Sequence, residues 1–168
     1  TQPASTIAFN GVRYRGAIRP ILEGSTFTVI NVIDLEQYLL GVVPREMPAS
    51  WGNTAPAALD AQAIAARSYA MATRRTSGNF DMYRDERSQV YGGVNSEDTR
   101  TTRAVQATTG KIVTYNGTIV TTFFFSTSGG KTENVENVFR GSSRPYLVAV
   151  DDEQYDAAPP HHLCRDPT

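Results

Sequence analysis

Short β-prone runs separated by polar breaks fill the first third of the chain. Thr6 to Phe9 and Val12 to Tyr14 flank Asn10-Gly11. An Asn-Gly pair between two such runs predicts a type I′ hairpin. Ala17 to Leu22 and Thr26 to Ile33 read as two further strands, with Glu23-Gly24-Ser25 as their turn. The apolar spacing then becomes helical. Leu35, Tyr38 and Leu39 share one face of a short helix with Asp34 as its cap and Gly41 as its stop. Pro44 suits the first turn of a second short helical turn that carries Glu46. Asn53 or Thr54 can cap the next helix, with Pro56 in its first turn. Along it Leu59, Ala63, Ala66 and Ala70 make a narrow face of small side chains. Such a face lets another element approach closely, so this helix is expected at the centre of the molecule.

Ser77-Gly78-Asn79 ends the helical region, and the polar, charge-dense stretch from Phe80 to Val90 reads as a solvated loop. Ser96 is placed to cap a helix from Glu97 to Thr108 that Gly110 stops. Its acids come first and Arg100 and Arg103 later, the order that the helix dipole favours. Lys111 to Tyr115 and Thr118 to Phe125 flank Asn116-Gly117, the strongest hairpin signal in the chain. Tyr146 to Val150 reads as one more strand. Strands and helices interleave without a βαβ rhythm. The expected class is therefore α+β: mainly antiparallel strands and hairpins around a central Ala-rich helix, in a single domain over residues 1–168.

Composition narrows the partners more than the fold. The 168 residues carry a net charge of −1, so nothing marks nucleic acid or anionic lipid as a bulk partner. Cys164 is the only cysteine, so an internal disulfide is impossible. These residues show neither a signal-peptide pattern nor a long apolar run, and any export signal is expected on a longer precursor. The last residues, PPHHLCRDPT, end without a clear terminal element, and the parent protein is expected to continue.

The residues with chemical potential begin with Glu46. Val42, Val43, Met47 and Trp51 surround it in sequence, and Pro44 and Pro48 stand two residues away on either side. A carboxyl on such a stiff, apolar elbow is expected to favour its uncharged form, because desolvation disfavours charge. A helix-start acid on a surface turn is the plainer reading. Gln62 and Arg67 are conspicuous on a helix expected to be buried, since buried polar groups need partners and a buried guanidinium needs a carboxylate or a ligand. In Ser126-Thr127-Ser128-Gly129-Gly130-Lys131, hydroxyls and glycines at a strand end suit the approach of a sugar, or simply a tight turn. Tyr91, before Gly92-Gly93, is placed to stack on a pyranose ring or to pack a loop corner. A serine nucleophile is disfavoured, because GxSxG is absent and both histidines sit near the C-terminus. His161, His162 and Cys164 have ligating side chains, but adjacent histidines do not easily meet one tetrahedral ion. No metal or cofactor is expected.

The motifs YLLGVVPREMPASW, ALDAQAIAARSYA, SQVYGG, AVQATTGKIVTYNGTIV, FFFSTSGGKTE and RPYLVAVDD occur in that order between about Ile18 and Asp152. Together they resemble the SpoIID/LytB domain family, named for stage II sporulation protein D. The resemblance implies a bacterial, extracytoplasmic protein that cleaves or binds peptidoglycan glycan strands. Its best-known activity is lytic transglycosylation, and the glutamate of the VVPxEM motif falls at Glu46. It also implies cleft roles for Gln62, Arg67, Tyr91, Ser126, Ser128 and Lys131. The alternative it carries is a non-catalytic, glycan-binding enhancer of a partner amidase. An inert structural domain, with no affinity for glycan, is the third class.

Overall fold

The computed structural model describes residues 6–125, 128, 130–139 and 141–152. His161, His162, Cys164 and Ser126 lie outside the described residues. The chain divides into two compact units, Thr1–Phe123 and Phe124–Thr168.

In the first unit, β1 (Ile7–Phe9) and β2 (Val12–Tyr14) form an antiparallel hairpin. Asn10 and Gly11 have φ of 48° and 77°, the left-handed pair that a type I′ turn requires. β3 (Ala17–Glu23) pairs with β4 (Thr26–Val32) in full register from Ala17↔Val32 to Glu23↔Thr26. Helix α1 spans Leu35–Glu46, and the Asp34 carboxylate caps it by accepting from the Glu36 N–H at 2.9 Å. The class is α+β, as the pattern of elements implies.

α1 corrects the expectation of two short helices. It runs straight through Gly41 and Pro44. Pro44 lies in the last turn, where its missing N–H forfeits only the bond to the Leu40 carbonyl. An interior proline costs about 3 kcal/mol. Leu39, Val42 and Val43 on the same helix are fully buried, and burying each contributes about 1.5–3 kcal/mol. Packing therefore outweighs the local penalty. Gly41 is there for close approach: a Cβ at this position would lie 2.6 Å from the Tyr91 ring and 3.0 Å from the Gly93 carbonyl oxygen.

A 3-10 turn over Ala49–Asn53 leads to α2 (Pro56–Thr73). Its cap position is Ala55, without a side-chain bond, rather than Asn53 or Thr54; Pro56 at the first position supplies the pre-set φ instead. Leu59, Ala63, Ala66 and Ala70 are buried, so the small face is the one that packs. With Tyr14, Leu39, Val42, Val43, Tyr91 and Val105, the residues Ala63 and Ala66 form the core.

α3 covers Thr99–Ala107, shorter than expected, and its cap is Asp98 rather than Ser96. The Asp98 carboxylate accepts from Arg100 N–H at 2.8 Å and from the Arg100 guanidinium at 2.8 and 2.9 Å. Ser96 instead donates its hydroxyl toward the carbonyls of Gly41 and Gly93, both at 3.0 Å. The Asn116-Gly117 hairpin forms, with φ of 48° and 77°. Its strands are only β5 (Thr114–Tyr115) and β6 (Thr118–Ile119). Beyond them Val120 N–H still donates to the Val113 carbonyl at 3.2 Å, but Val113 N–H turns to Ser68 Oγ at 2.9 Å, and the Thr122 hydroxyl donates to the Ala65 carbonyl at 2.6 Å.

In the second unit, a single antiparallel bridge joins Lys131 and Asp151. α4 (Val135–Val138) is a single short turn. Tyr146 to Val150 is not a strand. Ala149 N–H donates to Asn134 Oδ1 and Val150 N–H to Thr132 Oγ1, both at 2.7 Å, while Leu147 N–H closes a turn on the Arg144 carbonyl at 3.0 Å. Local side-chain acceptors compete with a ladder in this way.

Candidate functional site

Glu46 is the last residue of α1 and is half-buried. Behind it Val42 and Val43 are fully buried, whereas Trp51 beyond it is 47% exposed. The elbow is thus dry on its inner side and open on its outer side. Val90 N–H donates to Glu46 Oε1 at 3.2 Å. Oε2 has no partner among the described residues. The helix's carbonyl end repels an anion at this position and the Val90 N–H attracts one.

The loop that supplies Val90 is irregular and exposed at Asp81, Arg84, Glu86 and Arg87, as its composition implies, but its end is anchored in the core. Gln89 is 2% exposed. Its Nε2 donates to the Ala66 carbonyl at 3.2 Å, and its Oε1 accepts from the Tyr38 hydroxyl at 3.3 Å. Tyr91 N–H donates to the Arg84 carbonyl at 3.0 Å, and Gly92 N–H to the Gly41 carbonyl at 3.1 Å. Toward its start, Phe80 and Tyr83 meet edge to face at 5.0 Å, with the Arg75 and Arg87 guanidinium groups over their rings. Aromatic faces and core carbonyls organise this segment, despite its charge.

Tyr38 links α1 to the same place. Burial, and then the negative charge of Glu46, push its phenol well above the usual tyrosine range. The hydroxyl is therefore a hydrogen-bond donor at any physiological pH. Tyr91 packs on Tyr38 with ring centroids 5.0 Å apart and donates to Asn31 Oδ1 at 3.0 Å. Burial, followed by the charge of Glu97, raises the Tyr91 phenol to about 12. At 6% exposure Tyr91 has no free face for a pyranose. Its expected sugar-stacking role gives way to that of a core ring.

Arg67 is corrected in the same sense. It is 1% exposed, and all five of its N–H groups are used inside the chain. Nε and one terminal nitrogen form a bidentate pair with Glu36 at 2.7 Å each. The remaining donors reach the carbonyls of Ala63, Lys111 and Val105 at 3.4, 3.0 and 3.3 Å. Glu36 Oε1 also accepts from Gly110 N–H at 3.2 Å. Of the two roles open to Arg67, the ion pair is the one present. Glu36, which no sequence motif marks, is its partner.

Gln62 is 6% exposed, and its Nε2 has no partner among the described residues. Ser128 and Lys131 belong to the second unit. Ser128 Oγ donates to Asp152 Oδ2 at 2.7 Å and accepts from Gly130 N–H at 3.2 Å, and Lys131 is exposed. Among the described residues, no group of three or more histidine, cysteine, aspartate or glutamate side chains is gathered as around a metal ion. No helix there is long and apolar enough to cross a membrane.

Fold and site together define an α+β protein with a half-buried glutamate at a helix end, held from behind by a core-anchored loop. The chain belongs to the SpoIID family, stage II sporulation protein, whose model matches residues 23–115. It is similar to the amidase enhancer of Bacillus subtilis, with 43% identity over 115 residues covering 68% of this chain and 15% of that protein. It is also similar to stage II sporulation protein D of the same organism, with 36% identity over 148 residues covering 78% of this chain and 42% of that protein. An uncharacterized protein of Brachyspira hyodysenteriae is 37% identical over 153 residues, covering 89% of this chain and 40% of that protein. The chain thus spans less than half the length of each of these relatives.

Proposed function

We propose that this chain acts on the bacterial cell wall, outside the cytoplasm, as a peptidoglycan lytic transglycosylase with Glu46 as its acid and base. The observation that supports this most is the carboxyl of Glu46, steadied at Oε1 by the Val90 N–H with Oε2 left without a partner among the described residues. Glu46 donates a proton to the glycosidic oxygen of the MurNAc–GlcNAc bond as that oxygen leaves. The 6-hydroxyl of the muramic acid attacks its own anomeric carbon, and the carboxylate takes up the hydroxyl proton. The glycosidic bond breaks, a 1,6-anhydro bond forms, and no water is consumed. A hydrolase needs a second carboxylate to activate water or to act as nucleophile; this route needs one glutamate used twice. Gln62, Ser126, Ser128 and Lys131 are assigned to the glycan on the family resemblance alone.

The test is mass spectrometry of purified glycan strands, with and without stem peptides, after incubation with the protein. Ends carrying 1,6-anhydroMurNAc are expected. Reducing ends that have taken up water, or no cleavage of either substrate, would rule the reaction out.

The 43% identity to an amidase enhancer favours one other reading. In it the chain holds glycan strands and promotes a partner amidase without cutting them. Stem-peptide release by an added cell-wall amidase then rises with this protein present, and rises equally with Glu46→Gln.

A further inference from the structure

We propose that Gln89 is a positioning residue that sets the Glu46 carboxyl in place. The inference rests on the reading of Glu46 as the reactive group and names what holds it. Gln89 precedes Val90, whose N–H is bonded to Glu46 Oε1. A backbone N–H is only as well placed as its own peptide. The Gln89 side chain is fixed at both ends of its amide, by the Ala66 carbonyl of α2 and by the Tyr38 hydroxyl of α1. Gln89 itself is 2% exposed, its bond to Ala66 is buried, and its bond to Tyr38 is part-buried. The Ala66 carbonyl can only accept, so Nε2 must face it, and Oε1 is left to accept from the Tyr38 hydroxyl. The amide therefore has one orientation. It ties the loop to two helices, one of which ends in Glu46 itself.

This geometry gives Gln89 a reason to be glutamine that packing alone does not. A side chain of the same length without the amide fills the space but leaves the loop untied. A misplacement on the order of 1 Å near a reacting group costs about 100-fold in rate. The loss should fall on kcat, because Gln89 is too buried to touch substrate.

The experiment compares Gln89→Met and Tyr38→Phe with the unaltered protein by two readouts. The first is hydrogen exchange at the Val90 amide, followed by NMR. It should accelerate about tenfold or more in Gln89→Met, while core amides of α1 and α2 keep their protection. The second is the rate of anhydro-end formation: kcat should fall about 10- to 100-fold with KM changed less than about twofold. Tyr38→Phe unties only one end of the amide and should shift both readouts the same way by less. It keeps the test decisive if Gln89→Met does not fold. Unchanged Val90 exchange in the variants would overturn the inference whatever the activity. If the unaltered protein forms no anhydro ends, the reading of the reaction fails, and the Val90 exchange still decides whether Gln89 holds Glu46.

Discussion

Arg67 and Glu46 divide the work of charge in this protein. Arg67 is buried with five satisfied donors, and Glu46 is half-buried with one oxygen held. Removing one member of a buried ion pair typically costs about 3–5 kcal/mol, because the other charge and its neighbours lose their partners. Arg67→Met leaves Glu36 with only the Gly110 N–H and takes a donor from the carbonyls of Ala63, Lys111 and Val105. Urea unfolding should show a loss in that range, and any glycan activity should fall only with the folded fraction. A specific rise in KM at full folding would restore the ligand-binding role. The sequence shows that an arginine on an Ala-rich helix is unusual. It does not show the partner, because Glu36 stands 31 residues away and carries no motif. Gln89 stands in the SQVYGG motif, but only the fold reveals that its amide is bonded between α1 and α2.

Among the elements, α1 shows where local rules yield to packing. Replacing Gly41 by alanine gains about 1 kcal/mol of helix propensity. The added Cβ would stand 2.6 Å from a Tyr91 ring that Asn31 and Tyr38 hold in place. Overpacking costs about 1–3 kcal/mol, so Gly41→Ala should lower the urea midpoint, with a net loss of about 1 kcal/mol. A higher midpoint would mean that Tyr91 moves aside freely. α3 offers a pH test. The Arg100 side chain, then the Arg100 N–H, hold the Asp98 carboxyl at about 2, below the roughly 3.9 of an unfolded aspartate. A depressed carboxyl contributes its stability above the unfolded value and loses it as pH falls through the folded one. Asp98→Ala should therefore cost about 1 kcal/mol at pH 5. The gap to the unaltered protein should close between about pH 4 and pH 2, read as urea midpoints across that range. Both Asn-Gly hairpins and the buried face of α2 were legible in the chain, because turn chemistry and periodicity are local. The run of α1 through Gly41 and Pro44, and the diversion of Ser96 from capping α3 to the Gly41 carbonyl, depend on contacts far along the chain.

For the molecule as a whole, the family match over residues 23–115 falls within the first unit, which also contains Glu46, Gln62 and Gln89. The account rests on the carboxyl at the end of α1 being the group that breaks the sugar bridge. The direct measurement is the yield of 1,6-anhydroMurNAc ends from identical glycan strands treated with the unaltered protein and with Glu46→Gln, each first shown to unfold at the same urea midpoint. The account predicts anhydro ends with the former and none above background with the latter. Equal yields from both would contradict it.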